Sequence, residues 1–482
     1  MQKGCAIMKR KLCLLLIFCL VISCFGGCGK KQEDTGEASE KANSTEVNSN
    51  INSTEDNSNV NGTDVNSNVN VEETQCPHDD SCECVKKPEY VENNTDAKLV
   101  KLKVVAPENE MQILEMLCRE FDNQHKEYAI EYTYEECADD YIYTAFSSGE
   151  KSADVYYFDN ADLLKLLDGG YLMELGADIQ DRVESTLYEN AVVASKNGEK
   201  LYGVPYTANM YCLYYNKNMF TEDEVKNLDV MMAKDMDICK YNLTIPLNNS
   251  WYIAGFFLGG GCTLFGPNGD DETQCDWASD RGVAIVNYLN GLAYNDKFFV
   301  DKSSSDDAII GMLAKGECAA CFSGLWDAAV IKEALGDNYA VVKLPQFTYE
   351  LNGEKITKEI MPFGDYKSIG VRRDTEYPAE AALLAEFLGG EFAQEVRLKA
   401  RSLSPTNIKL MENAKKYSDP AVVAGVNQMA NTFPRPRVNK MEAYWVPAAN
   451  IGTCIASQSE NVTSGDEKTK EFLESTVRQI LE

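Results

Sequence analysis

Seventeen cysteines, two histidines and four tryptophans bound the chemistry open to this chain of 482 residues. A nucleophile–base triad needs a histidine, yet His78 lies in a polar stretch and His125 at a polar helix end, so neither suggests one. Cys76, Cys82 and Cys84, beside His78, Asp79 and Asp80, have the residue types for a metal site or a disulfide. Cys318 and Cys321 have CxxC spacing, but the local pattern reads as a strand. Residues three apart on a strand point to opposite faces about 10 Å apart, beyond disulfide reach. Leu258-Gly259-Gly260-Gly261 lacks the Lys-Ser/Thr that completes a phosphate cradle and reads as a helix end. Among 76 acidic residues, paired carboxylates arise by chance and do not by themselves signal hydrolysis. A site that recognises a ligand without covalent chemistry would instead combine aromatic faces with directed carboxylates or amides, and needs no nucleophile.

The elements that would hold such a site begin after a secretory segment. Lys3, Lys9, Arg10 and Lys11 precede the apolar run Leu12 to Ile22, which ends in Ser23-Cys24 and Gly26-Gly27-Cys28. The run is too short to span a bilayer core, which needs about 20 residues. Small residues directly before a cysteine, followed by Lys30-Lys31, resemble a bacterial lipoprotein signal, with Cys28 or Cys24 as the lipidated residue. Residues 1–28 are then the signal peptide, and diacylation supplies the two chains that stable anchoring requires. This places the protein, lipid-anchored, on the outer face of the cell membrane. The formal charge of −30, with no basic tract to offset it, excludes nucleic acid as a partner. Residues 29–96 are rich in Asn, Ser and Glu and repeat with period nine, as in Val47-Asn48-Ser49-Asn50 and Val65-Asn66-Ser67-Asn68. Such a segment buries too little apolar surface to offset its ordering entropy and reads as a disordered tether.

From Leu99 onward strand and helix patterns alternate. Leu99–Ala106 alternates, Ile113, Leu114, Leu117, Cys118 and Phe121 recur at helical spacing, and Ala129–Tyr134 and Ala153–Phe158 read as strands. The pattern predicts βαβ units and an α/β fold, too long for one compact core. Ligands in such sheets sit beyond the carboxyl ends of strands, which points to Asp159, Asn160 and the loop carrying Glu108 and Asn109. The stretch Lys200 to Lys217, containing Gly203-Val204-Pro205-Tyr206 and Leu213-Tyr214-Tyr215-Asn216-Lys217, resembles the lobe-crossing strand of extracellular solute-binding proteins of the maltose-binding type. Gly316 to Trp326 resembles that family's strand ending in Gly-x-Trp. Gly370-Val371 with Ala379 to Leu388 resembles its strand and helix, and Met441-Glu442-Ala443-Tyr444-Trp445 the aromatic turn before its last helices.

The resemblance implies an α/β, two-lobed periplasmic-binding-protein-like fold with a hinge between the lobes. Lobe I would comprise 97–207 and 346–404, and lobe II 208–345 and 405–482. It implies a monomer with no cofactor, no metal and no catalysis, which binds a carbohydrate and delivers it to the permease subunits of an ABC importer. Trp326 and Trp445 match the family's stacking tryptophans, and Trp251 lies near a further aromatic position. Phe158 stands at the aromatic place on the other lobe, with Asp159, Asn160 and Asp162 near the hydroxyl-binding acid. Asn209 replaces an acid found in some members, and Asp365, Tyr366 and Arg435 are further candidates. Two alternatives stay open: a surface glycoside hydrolase, marked by two carboxylates at fixed separation, and a binding protein for a polyamine or a metal, marked by convergent carboxylates with few exposed tryptophans.

Overall fold

The computed structural model describes residues 94–301, 306–417 and 419–482. Cys24, Cys28, the Cys76–Cys84 cluster and nearly all of the tether lie outside the described residues. Lobe I opens with β1 (Lys98–Ala106), α1 (Met111–Gln124), β2 (Tyr128–Glu136) and β3 (Val155–Asp159), close to the elements the periodicity predicts. β1 lies parallel to both β2 and β3. Ile113, Leu114, Leu117 and Phe121 bury the apolar face of α1 against this sheet. The helices on the way to β4 (Gly203–Asn209) include α2 (Leu163–Asp168) and α3 (Glu189–Ala194).

The predicted crossing strand is two strands. The chain leaves the first sheet after Asn209, passes Met210, and enters the second sheet as β5 (Tyr211–Asn216). Lobe II continues with α4 (Ser250–Gly260), α5 (Asp280–Ala293), β6 (Ala320–Gly324) and β7 (Tyr339–Val342). β5 pairs antiparallel with both β6 and β7, and two two-residue strands complete a five-stranded sheet. α4 is apolar on all sides and correspondingly buried, with Phe256 and Phe257 in the lobe II core beside Trp277. It ends at Gly261, as the glycine run predicts. Cys318 and Cys321 are both buried, and no disulfide joins them.

The hairpin β8 (Gln346–Leu351) and β9 (Glu354–Glu359) corrects the expected boundary at 345/346. Phe347 and Tyr349 belong to the lobe II core, and the Tyr349 hydroxyl donates to Gly260 O at 2.7 Å, so the hairpin packs with lobe II. β10 (Phe363–Val371) then returns to the first sheet, antiparallel to β3 and to β4. α6 (Pro378–Gly389) and α7 (Glu391–Arg401) cover it. A third passage runs beside β4, where Ala208 N and Thr207 Oγ1 both donate to Ser404 O. The chain then forms α8 (Pro420–Met429), the two-residue strand Phe433–Pro434 on β10, α9 (Met441–Ala456) and α10 (Asp466–Leu481).

One buried ion pair fixes lobe I internally. Glu110 and Arg397 are each 1 % exposed, with Arg397 Nε 2.8 Å from Glu110 Oε2, and Arg401 reaches the other carboxylate oxygen. Arg397 also donates to the Tyr157 hydroxyl at 2.7 Å. These bonds tie the loop after β1 to α7 and β3.

Candidate functional site

β3 delivers Asp159 to the carboxyl edge of the sheet. Its carboxylate accepts from Ala161 N at 2.9 Å, turning the chain into a short 3-10 turn. Asn209, the last residue of β4, donates Nδ2 to Asp159 Oδ2 at 3.4 Å. Asn209 also stands opposite Asp365 in the β4–β10 register, which brings the second carboxylate to the same edge. Arg435, one residue beyond the Phe433–Pro434 strand, donates from Nη1 to Asp365 Oδ2 at 2.8 Å and lies 3.7 Å from Asp159 Oδ1. Asp159 and Asp365 are 8 % and 3 % exposed. Burial, then the Asp365 charge, pushes the Asp159 carboxyl up to about 7, against the opposing pull of Arg435 and Lys367. Lys367 is ion-paired with Asp139 at 2.7 Å.

Lobe II supplies the aromatic side. Asn249 caps α4 by accepting from Trp251 N at 2.9 Å, and this sets Trp251 in the first turn. Trp445 lies in the first turn of α9, and the Tyr444 hydroxyl donates to Ser250 O at 2.8 Å, which ties α9 to α4. Trp251 and Trp445 therefore stack, with centroids 6.3 Å apart and planes inclined by 28°. Arg435 closes the group: its guanidinium carbon is 4.9 Å from the Trp445 ring and 6.0 Å from the Trp251 ring. Trp326 stands on a separate element, the 3-10 turn Leu325–Asp327 after β6, and is 49 % exposed.

The remaining sequence candidates divide. Phe158 is fully buried in lobe I against Tyr156, in space left by Gly203 and Gly370, so it is a core residue and not a platform. Asn160 is 2 % exposed and turns toward α3, donating Nδ2 to Ser195 Oγ at 3.1 Å. Asp162 pairs with Lys165 at 3.2 Å, and Lys165 also reaches across to Glu442 of α9 at 2.7 Å. Glu108 and Asn109 are exposed on a single 3-10 turn, whose third residue is the buried Glu110. Tyr366 is buried beside Ala208 and Met210. A cavity of about 60 Å³ adjoins Arg435, with Asn160, Asp365, Tyr366 and Arg437 among its walls. Asn160 Oδ1 and the Tyr366 hydroxyl have no protein partner there. The structure thus joins Asp159, Asn209, Trp251 and Trp445 through Asp365 and Arg435, the two residues with the weaker sequence signal. Nothing in the sequence marked these two, seventy residues apart, as neighbours.

This arrangement offers a stacked aromatic pair beside carboxylates, an amide and a guanidinium, which suits a neutral ligand with hydroxyls and a flat C–H face. Comparison with known proteins points the same way. A 26 % identical relative, a maltooligosaccharide ABC transporter solute-binding lipoprotein of Streptococcus pneumoniae, aligns over 63 % of this chain and 70 % of its own. A galactooligosaccharide-binding protein of Bacillus subtilis is 25 % identical over 60 % of this chain and 68 % of its own. Among solved structures, a maltodextrin-binding protein of L. casei, without ligand, superposes with a TM-score of 0.70 at 21 % identity, covering 79 % of this chain and 99 % of the other. That likeness establishes the two-lobed α/β fold. Residues 116–424 match the model of the bacterial extracellular solute-binding proteins, and the chain belongs to that family.

Proposed function

We propose that this protein captures an oligosaccharide between its lobes and delivers it to an ABC importer. The observation that carries the reading is the Trp251–Trp445 pair standing beside Asp159, Asn209, Asp365 and Arg435. Stacked indoles take the C–H face of a sugar ring, and the polar cluster takes its hydroxyls. Relatives named for maltooligosaccharide and galactooligosaccharide support the ligand class, as does a 28 % identical structure solved with acarbose. Trp326 adds a second stacking surface at the cleft. The lobes close about the passages at Met210, between β9 and β10, and beside Ser404, in the manner of hinged binding proteins. Calorimetry of residues 94–482 against maltotetraose, galactooligosaccharides and their monosaccharides tests this. Binding to none of them refutes it.

The anchor belongs to the same proposal. Cys28 or Cys24 carries the lipid, and residues 29–96 let the lobes reach the permease. Replacing both cysteines by Ser abolishes palmitate labelling if this is right, and labelling that persists in the double variant refutes it.

A further inference from the structure

Arg435 touches both halves of the candidate site, which no role as a simple ligand contact requires. Its backbone belongs to lobe I: Arg435 N donates to Gly364 O at 3.1 Å at the start of β10. Its guanidinium binds Asp365 and approaches Asp159, both on lobe I strands, while its face lies on Trp445 and Trp251, both on lobe II helices. The segment it begins runs directly into α9, which carries Trp445. Along that segment Arg437 donates to Ala194 O at 3.3 Å and Glu442 meets Lys165 at 2.7 Å, so the chain from 435 to 442 fastens to lobe I three times.

We propose that Arg435 is the positioning residue of the site: it aligns the lobe I carboxylates with the lobe II tryptophans, so that stacking a sugar on Trp445 and closing the lobes become one event. The inference rests on the oligosaccharide reading above. Its chemistry is specific. With the guanidinium in place, the Asp159 carboxyl, raised to about 7, still ionises near neutral pH and then offers acceptor lone pairs to ligand hydroxyls. Without it, two buried carboxylates face each other, and one takes a proton and becomes a donor. The groups facing Asp159 are Asp365 and Lys367 from β10, Ala161 N and Asp162 from the turn after β3, Asn209 from β4, and Arg435. Lys367 is already engaged by Asp139, so no neighbour replaces Arg435. A lysine at 435 keeps the charge and loses the flat stack on Trp445.

The test measures maltotetraose affinity by calorimetry between pH 5.5 and 8.5, with melting temperature, on the wild type, Arg435→Met and Arg435→Lys. Positioning predicts that Arg435→Met binds roughly tenfold to a hundredfold more weakly and that the midpoint of its pH profile rises by at least about one pH unit. Arg435→Lys weakens binding while keeping the wild-type midpoint. The double variant Arg435→Met/Asp365→Asn removes the uncompensated charge and serves if the single variant fails to fold; its affinity falls as well, because the alignment is still missing. Affinity within twofold of wild type in either Met variant, or a loss with an unmoved midpoint in Arg435→Met, overturns the inference and leaves the oligosaccharide reading standing. A wild type that binds no sugar overturns the reading itself.

Discussion

Gly324→Ala separates a platform role for Trp326 from a packing role without touching the tryptophan. Gly324 has φ −68° and ψ 155°, an extended conformation open to any residue, so the substitution brings no backbone strain. A Cβ built there falls 1.9 Å from Trp326 Cε2 and 2.2 Å from Cδ2 and Cζ2. Ordinary carbon contact begins near about 3.5 Å, so the indole must move aside by more than 1 Å. Trp326 is half exposed and has room to swing outward, which keeps the stability cost to about 1 kcal/mol. If the ring carries a sugar, the displacement removes a stacking surface. With about 80 Å² of apolar contact at about 25 cal/mol per Å², affinity falls by about 2 kcal/mol, roughly thirtyfold. Melting temperature and calorimetric affinity for maltotetraose, measured on the same preparation, decide the matter. A melting temperature within a few degrees of wild type together with unchanged affinity removes Trp326 from the site. A large drop in stability refutes the claim that the ring is free to move.

Trp251→Ala and Trp445→Ala each weaken sugar binding by about 2 kcal/mol, read by calorimetry. Because the two rings stack on each other, their double variant costs less than the sum. Asp159 binds its proton more tightly in the folded chain than in the unfolded one, so stability falls as pH rises from the ordinary carboxylate range through about 7. Asp159→Asn flattens that slope in urea titrations at pH 5 and pH 8, and an unchanged slope refutes the assignment. Arg397→Met leaves Glu110 buried with only Arg401 beside it and destabilises lobe I by about 3 to 5 kcal/mol. Chemical denaturation reads this directly, while sugar affinity in the folded fraction stays near wild type.

The order of elements through β3 was legible because alternating and helical apolar spacings report burial directly. The orientation of Phe158 was not. β3 is buried on both faces, all five of its residues included, so alternation along it carries no inside-to-outside signal. The hairpin 346–359 went to the wrong lobe for a related reason. Its alternation of Phe347 and Tyr349 with polar residues states that one face is covered but not which lobe covers it. Trp251 and Trp445 were visible as rare aromatics, and their meeting depends on the Tyr444–Ser250 hydrogen bond across almost two hundred residues. Asp365 and Arg435 were the least legible. Each is an ordinary charged residue until β10 and the Phe433–Pro434 strand pair and set them 2.8 Å apart.

The place of β10 has a consequence for how the chain reaches its fold. This strand pairs with both β3 and β4, yet it is made only after the whole of lobe II's first portion, residues 211–359, has been synthesised. Until then β3 and β4 each lack a neighbour, and their unpaired edges are free to associate with other chains. The lobe II sheet is assembled from residues 211–342, but its core also takes Tyr444, Ile451 and Leu473 from α9 and α10, the last helices to be made. Lobe I therefore matures by long-range strand insertion, the slow class of pairing, and a chain interrupted before residue 363 leaves behind an open, adhesive half of lobe I and a lobe II sheet without the α9 and α10 residues of its core.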